Sequence, residues 1–189
     1  MFGFGSEVLP REEPHMLRGL LVTDSSRTLL LQRVLLGTVM LPHGAQKLLG
    51  WFGGYGFSGT MNFFTGTLHI PTPLAFLVIA SEVFGSLGLL LGLGTRLAAF
   101  GAAATMVGAV LTSHRQVGFF MNWFGNQPGE GFEYHLLALA LALPLVVRGG
   151  GAFALDRSLL ATLVLRRTRA RERAVGAAVR ARALANGTS

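Results

Sequence analysis

The sequence predicts an all-α integral membrane protein, a polytopic bundle of four transmembrane helices. Half of its 189 residues (51%) are hydrophobic and only 13% are charged, whereas soluble domains carry about a quarter charged residues. The charges also cluster toward the two ends of the chain, so four long apolar segments remain between them. A helix needs roughly 20 such residues to cross the hydrocarbon of a bilayer.

Three regions follow from this distribution. Residues 1–27 are predicted to form a cytoplasmic N-terminal segment, because they lack the cationic start and apolar run of a cleavable signal peptide. Residues 28–156 are predicted to form the transmembrane domain. Residues 157–189 are predicted to be a basic cytoplasmic tail, with eight arginines against one glutamate, which accounts for the whole net charge of +7.

The four predicted spans differ in length and in their content of proline and glycine. The fourth is short and contains Pro144, so we expect it to use flanking residues to cross. Gly92 and Gly94 are expected to close the second helix, and Thr95 to cap the third. The spans are predicted at about Thr28–Leu49, Pro73–Leu93, Arg96–Ser113 and Tyr134–Val147.

The link between the first two spans is rich in aromatic residues. Residues 51–72 hold six aromatic rings and five glycines but no acidic or basic side chain. Irregular backbone of this kind is tolerated at the membrane interface or where protein covers it. We therefore predict an aromatic interfacial or partly re-entrant segment, which either anchors the fold or covers a bound ligand.

The orientation follows from the positive-inside rule. Four spans place both termini on one side, and the arginine-rich tail predicts that this side is the cytoplasm. We expect an amphipathic tail helix on anionic lipid of the inner leaflet rather than on nucleic acid. The predicted location is the cytoplasmic (inner) membrane of the cell.

Ionisable residues inside the predicted spans form a candidate site. Charges at membrane depth cost about 2.5–3.5 kcal/mol on insertion scales and mark bundle interiors or functional sites. By depth, six of them fall in the outer half of the bundle: His43, Lys47, Glu82, His114, Glu133 and Tyr134. They are expected either to form pairs that fix helix register or to line a pocket that opens outward. Gly37 and Gly44 share their stripe on the first span and allow close helix approach.

In the pocket hypothesis, His43 and Glu82 are catalytic and carry protons. Lys47, His114, Glu133, Tyr134 and Arg33 are expected to bind substrate, and Glu133 is also expected to orient Lys47. The partner of Glu82 stays open between Arg33 and His43.

No metal site is expected. Glu133 and His135 are two residues apart, so they lie on different helix faces, unlike the Glu-x-x-His pairs of di-iron bundles. The chain has no cysteine, which excludes thiol redox chemistry and Cys-ligated iron–sulfur clusters.

Several short motifs, in order, resemble the DoxX family of small membrane proteins. They extend over roughly Arg33 to Asp156, although Ala154 stands where the family commonly has serine. The resemblance implies a four-helix transmembrane fold and association with oxidoreductase systems that are often quinone-linked. The motifs are Arg33 with His43-Gly44 and Lys47, Gly53-Gly54, Glu82 with Gly85 and Thr95-Arg96, His114 with Gly118-Phe119, Glu133-Tyr134, and Gly149 and Gly151 before Leu155-Asp156.

The expected function is a membrane subunit or enzyme of a quinone-linked oxidoreductase system, supplied with electrons by a bound cofactor or a partner redox protein. The alternative is a non-catalytic membrane anchor or assembly subunit for such a partner. A small transporter is less favoured, because no internal repeat pairs the two hairpins.

Overall fold

The computed structural model describes residues 19–186, and all regular secondary structure in that range is helical. The predicted N-terminal segment 1–27 is therefore described only from residue 19, and residues 187–189 of the tail also lie outside the described range. The principal helices are α1 (Arg27–Leu49), α2 (Gly56–Asn62, continued by a π-helical turn Phe63–Thr67), α3 (Thr72–Leu91), α4 (Thr95–His114), α5 (Glu133–Arg148) and α6 (Leu155–Asn186).

The four predicted apolar segments are helices with bounds within two residues of those expected. Among the described residues, α3 and α4 are long and apolar enough to cross a membrane. Helix α1 is longer but carries Arg33 and Lys47, and α5 has only 16 residues.

Helices α1, α3, α4 and α5 pack against one another. Helix α1 contacts α3 and α5, and α4 contacts α5 and the middle of α3. Leucine, methionine and alanine fill the core between them. On the outer surface of α3 and α4, large apolar side chains such as Phe84 (68% exposed) and Leu97 (67% exposed) are uncovered. Apolar surface of this extent is typical of contact with lipid or another protein.

Two glycines allow α1 to approach α3 closely, as the sequence predicted. A Cβ atom added at Gly44 would lie 2.9 Å from the carbonyl oxygen of Glu82, and one at Gly37 would lie 3.0 Å from that of Ser86. The distance at Gly44 is shorter than real Cβ atoms show, and the distance at Gly37 is tighter than most real Cβ contacts. Gly44 therefore determines how near α1 lies to the segment that carries Glu82.

The α3–α4 hairpin closes on glycines, but its cap differs from the prediction. Gly92 (φ 69°) ends α3 and Gly94 (φ 60°) precedes α4. Thr95 does not cap α4: it is the first helical residue, and its buried hydroxyl has no hydrogen-bond partner. Instead, the Asp156 carboxylate accepts the amide protons of Gly94 (2.6 Å) and Thr95 (2.9 Å). An acidic side chain distant in sequence therefore takes the place of a local N-cap side chain at the start of α4.

Three helices contain π-helical turns. One widens α3 over Ser81–Gly85, one ends α4 over Val110–His114, and one extends α2 over Phe63–Thr67. Such turns occur frequently at functional sites because they redirect side chains. Glu82 and His114, two of the predicted site residues, both lie in them.

The basic tail forms a single helix, α6. Its residues 159–165 are mainly apolar, and the stretch from Arg166 to Arg173 that follows is exposed throughout. With 100° between successive residues, the five arginines of this stretch cover about 200° of the helix circumference. The amphipathic character of the tail stays a prediction.

We predict that Gly44→Ala lowers the melting temperature of the detergent-purified protein, because the new methyl group must push α1 away from Glu82. Overpacking costs about 1–3 kcal/mol, which corresponds to a shift of several degrees for a chain of this size. Differential scanning fluorimetry measures it. Gly108→Ala is the matched control, since a Cβ there meets nothing within 4 Å. Equal melting temperatures for the two variants would contradict the close approach.

Candidate functional site

A buried ion pair joins α1 to the π-helical turn of α3. The Lys47 Nζ atom lies 2.6 Å from Glu82 Oε2, and the side chains are 25% and 3% exposed, respectively. The partner of Glu82 is therefore Lys47, not Arg33 or His43, the two candidates from sequence. The carboxylate is shielded while the ammonium keeps some contact with the surroundings, which is the arrangement that limits the cost of burying a charge.

Two aromatic side chains border this pair. His43 lies one helical turn before Lys47, on the same face of α1. Its ring centroid is 6.0 Å from that of Tyr134, the second residue of α5. The Tyr134 hydroxyl points toward the sulfur of Met40 at 4.0 Å. His43, Lys47, Glu82 and Tyr134 thus come together from three helices, and we call them the polar cluster.

The backbone around Glu82 explains how its side chain is placed. The Ser86 hydroxyl lies 2.5 Å from the Glu82 carbonyl oxygen and 2.9 Å from that of Val83, and it donates a hydrogen bond within the widened turn. On the other side, Gly44 leaves room for the same peptide group. Hydroxyl and glycine together hold the turn in place.

A second group lies where α4 ends and α5 begins. The rings of His114 and His135 have centroids 4.2 Å apart, and His135 is in turn 5.8 Å from Tyr134. The His114 Nδ1 atom is 2.8 Å from the Glu130 carbonyl oxygen. His135 is only 6% exposed, and its Nδ1 has no hydrogen-bond partner. The sequence analysis did not assign His135 to the site, although its position beside Tyr134 was a usable signal.

Glu133 does not orient Lys47, contrary to the prediction. Its Oε2 atom accepts the amide proton of Met121 at 3.4 Å. The neighbouring carboxylate of Glu130 accepts that of Asn122 at 2.7 Å. The Glu133 carboxylate therefore attaches the α4–α5 loop to the start of α5, whereas Glu130, which lies in the loop, binds another part of the same loop.

Arg33 is not part of the polar cluster either. It lies 14 residues before Lys47, about 21 Å along α1 at 1.5 Å per residue. Its guanidinium group, 2% exposed, donates to the carbonyl oxygens of four residues: Leu89 (2.8 Å), Leu90 (2.6 Å), Gly150 (2.9 Å) and Ala152 (3.4 Å). These hydrogen bonds join α1 to the backbone at the end of α3 and in the link between α5 and α6. Arg33 therefore has a structural role.

A cavity of about 350 Å³ lies elsewhere, in the aromatic segment. Its lining consists of Tyr55, Gly59, Asn62, Phe63 and Thr67, none of which belongs to the polar cluster. Within residues 19–186, no three histidine or acidic side chains are grouped closely enough to hold a metal ion. The side chains of the polar cluster can themselves exchange protons and form hydrogen bonds.

Comparison with known proteins gives two matches. The model of the DoxX family matches residues 28–115, which contain His43, Lys47, Glu82 and His114. A curated protein of Bacillus subtilis (strain 168), "Putative oxidoreductase CatD", is 31% identical over 127 residues, which cover 67% of this chain and 83% of the relative. No solved structure matches the chain.

We predict that Lys47→Met destabilises the purified protein strongly and that adding Glu82→Gln restores most of the loss. Removing one partner of a buried pair costs about 3–5 kcal/mol because the other charge remains buried without compensation. The melting temperatures of the two single variants and the double variant show how far the effects of the Lys47 and Glu82 substitutions depend on each other. Arg115→Met, at an exposed cation, is the control. Additive effects of the two substitutions would show that the pair is not formed.

Proposed function

Since the chain belongs to the DoxX family, whose members are membrane-associated, we propose that it is a membrane subunit or enzyme of a quinone-linked oxidoreductase system. The observation that carries this proposal is the polar cluster. A shielded carboxylate, an ammonium group, an imidazole and a phenol meet among apolar helices, where each ionisable group is costly and is commonly retained for function. The oxidoreductase name of the relative agrees with this chemistry.

Each member of the polar cluster has a role in the proposal. Reduction of a quinone to a quinol takes two electrons and two protons. His43 and Glu82 would carry the protons, because an imidazole and a carboxylate exchange them at physiological pH when their surroundings are suitable. Lys47 and Tyr134 would donate hydrogen bonds to the oxygen atoms of the ring. The electrons would come from a bound cofactor or a partner redox protein.

His114 and His135 extend the polar cluster toward the end of α4. His114 is partly exposed and touches the buried His135, which borders Tyr134. We propose that His114 meets the substrate or water at the entrance. Glu133 would contribute indirectly, by holding the loop that surrounds this entrance.

The proposed topology has α1, α3, α4 and α5 crossing the cytoplasmic membrane, with both termini in the cytoplasm. The ends of the bundle differ in charge: Arg96 and Arg148 lie at the end that leads to α6, whereas Glu130 and Glu133 lie at the opposite end. The positive-inside rule places the arginine-rich end in the cytoplasm. There the arginines of α6 would contact anionic lipid.

A non-catalytic anchor or assembly subunit for a partner redox protein is the second candidate. Helix α6 favours it, because 32 residues of basic helix extend beyond the bundle and are exposed along most of their length. Such a helix offers a large surface to a cytoplasmic partner. The polar cluster would then fix helix register instead of carrying protons.

We predict that the gently purified wild-type protein carries quinone and that His43→Ala and Glu82→Gln lower the bound quinone at least tenfold. Both variants should accumulate in the membrane at near wild-type amounts, since Gln keeps the shape of Glu82 and Lys47 is partly exposed. Solvent extraction with mass spectrometry measures quinone per mole of protein. His69→Ala, at an exposed histidine outside the polar cluster, is the control.

A different result would favour the anchor. In that case a stoichiometric protein partner, and no quinone, would accompany the wild-type chain. Truncation before Arg166 would then release the partner, while His43→Ala would leave it bound.

We also predict opposite labelling of two introduced cysteines. Ser58→Cys in α2 should react with a membrane-impermeant maleimide on intact cells, and Thr168→Cys in α6 only after permeabilisation. The chain has no cysteine of its own, so the wild type provides an unlabelled background. Both positions are exposed. Labelling of Thr168→Cys on intact cells would reverse the proposed orientation.

A further inference from the structure

Two aromatic rings of the segment after α1 lie next to each other. The ring centroids of Tyr55 and Phe63 are 6.5 Å apart, with 31° between the ring planes. This spacing lies within the range of direct aromatic contact, about 4.5–7 Å, so the two rings form a pair. Both rings are exposed enough to pack against a flat ligand as well.

Open space lies beside this pair of rings. The cavity of about 350 Å³ is lined by both rings, together with Gly59, Asn62 and Thr67. Its size falls at the lower end of the range for small-molecule sites, about 300–1,000 Å³. Gly59 keeps it open: a Cβ atom there would lie 2.9 Å from that of Tyr55 and displace the tyrosine.

Polar groups stand at the rim of this cavity. The Asn62 amide, the Thr67 hydroxyl and the Tyr55 hydroxyl can each donate a hydrogen bond. A flat ring with carbonyl oxygens on its edge would accept such bonds while it packs against Tyr55 and Phe63. Since residues 51–72 contain no charged side chain, the site fits a neutral ligand better than an ion.

The position of the cavity indicates how a ligand arrives. Tyr55 is 79% and Phe63 41% exposed, on a segment whose composition is typical of the membrane interface. The Gln46 side chain donates to the Phe52 carbonyl oxygen at 3.4 Å, which attaches the segment to α1 directly beside Lys47. A lipophilic molecule could therefore reach this cavity from the bilayer and lie near the polar cluster.

We propose that the cavity beside Tyr55 and Phe63, here called the cleft, binds the planar head group of a quinone-like molecule. The inference rests on the proposed function and adds a ring-binding site distinct from the polar cluster. In it, the ring packs against Tyr55 and Phe63, and Asn62 and Thr67 bind its oxygens.

Tryptophan fluorescence tests this site. The chain has two tryptophans, Trp51 four residues before Tyr55 and Trp123 in the α4–α5 loop, so Trp123→Phe leaves a single reporter on the segment that carries the site. The full chain, purified in detergent and freed of lipid, is titrated with menadione, a quinone without a tail that quenches indole emission. We expect saturable quenching in the Trp123→Phe background.

Variants in that background separate the cleft from its surroundings. Combining Tyr55→Ala with Phe63→Ala should raise the Kd for menadione at least tenfold, and Gly59→Leu should abolish saturation by filling the cavity. Asn62→Ala should weaken binding without changing the ring pair, and so tests the site if the aromatic variants misfold. Phe120→Ala, at a ring 66% exposed in the other loop, should leave the Kd unchanged.

The two proposals fail in different ways. If the cleft variants leave the Kd unchanged while His43→Ala raises it, the quinone binds at the polar cluster, and the cleft is overturned but the proposed function is not. If menadione quenches Trp51 without saturation even in the unaltered cleft, the cleft is overturned and the quinone linkage loses its support with it.

Discussion

The hydrogen bonding of Arg33 is the constraint on which the bundle depends. A buried guanidinium group carries five N–H donors, and here it makes four hydrogen bonds to carbonyl oxygens from the end of α3 and from the link between α5 and α6. Asp156 completes the same junction by accepting the first amides of α4. One cation and one anion, distant in sequence, thereby tie four helices together at one end. The polar cluster at the other end is positioned by helices that this junction already holds.

Helix bounds were predictable from the sequence, whereas side-chain pairing was not. Long apolar runs broken by glycine locate α1, α3, α4 and α5 within two residues, because hydropathy and backbone punctuation are local signals. Which side chains of two neighbouring helices meet depends on how each helix is rotated about its own axis. The π-helical turn Ser81–Gly85 changes that rotation within α3, so depth alone suggested Arg33 or His43 for Glu82 where the structure has Lys47. The capping of α4 by Asp156 could not be predicted from the sequence either, because it joins residues about 60 positions apart.

The polar cluster shows how a small bundle accommodates ionisable groups without a large cavity. Gly44 removes a side chain at the point where Glu82 approaches α1, and the Ser86 hydroxyl supports the widened turn. The carboxylate then lies against backbone and ammonium instead of lipid. The cavity proposed to hold a whole ring lies in the neighbouring aromatic segment, beside Gly59 and a second π-helical turn.

The length of α5 has a consequence for the surrounding lipid. Its 16 residues extend about 24 Å, several ångströms less than a bilayer hydrocarbon core of about 30 Å. If α5 spans, hydrophobic mismatch on that side must be relieved by local thinning of the bilayer. Headgroups and water would then come closest to the protein beside Tyr134 and His135, at the start of α5. The membrane would thus become shallower beside the proposed entrance of the polar cluster.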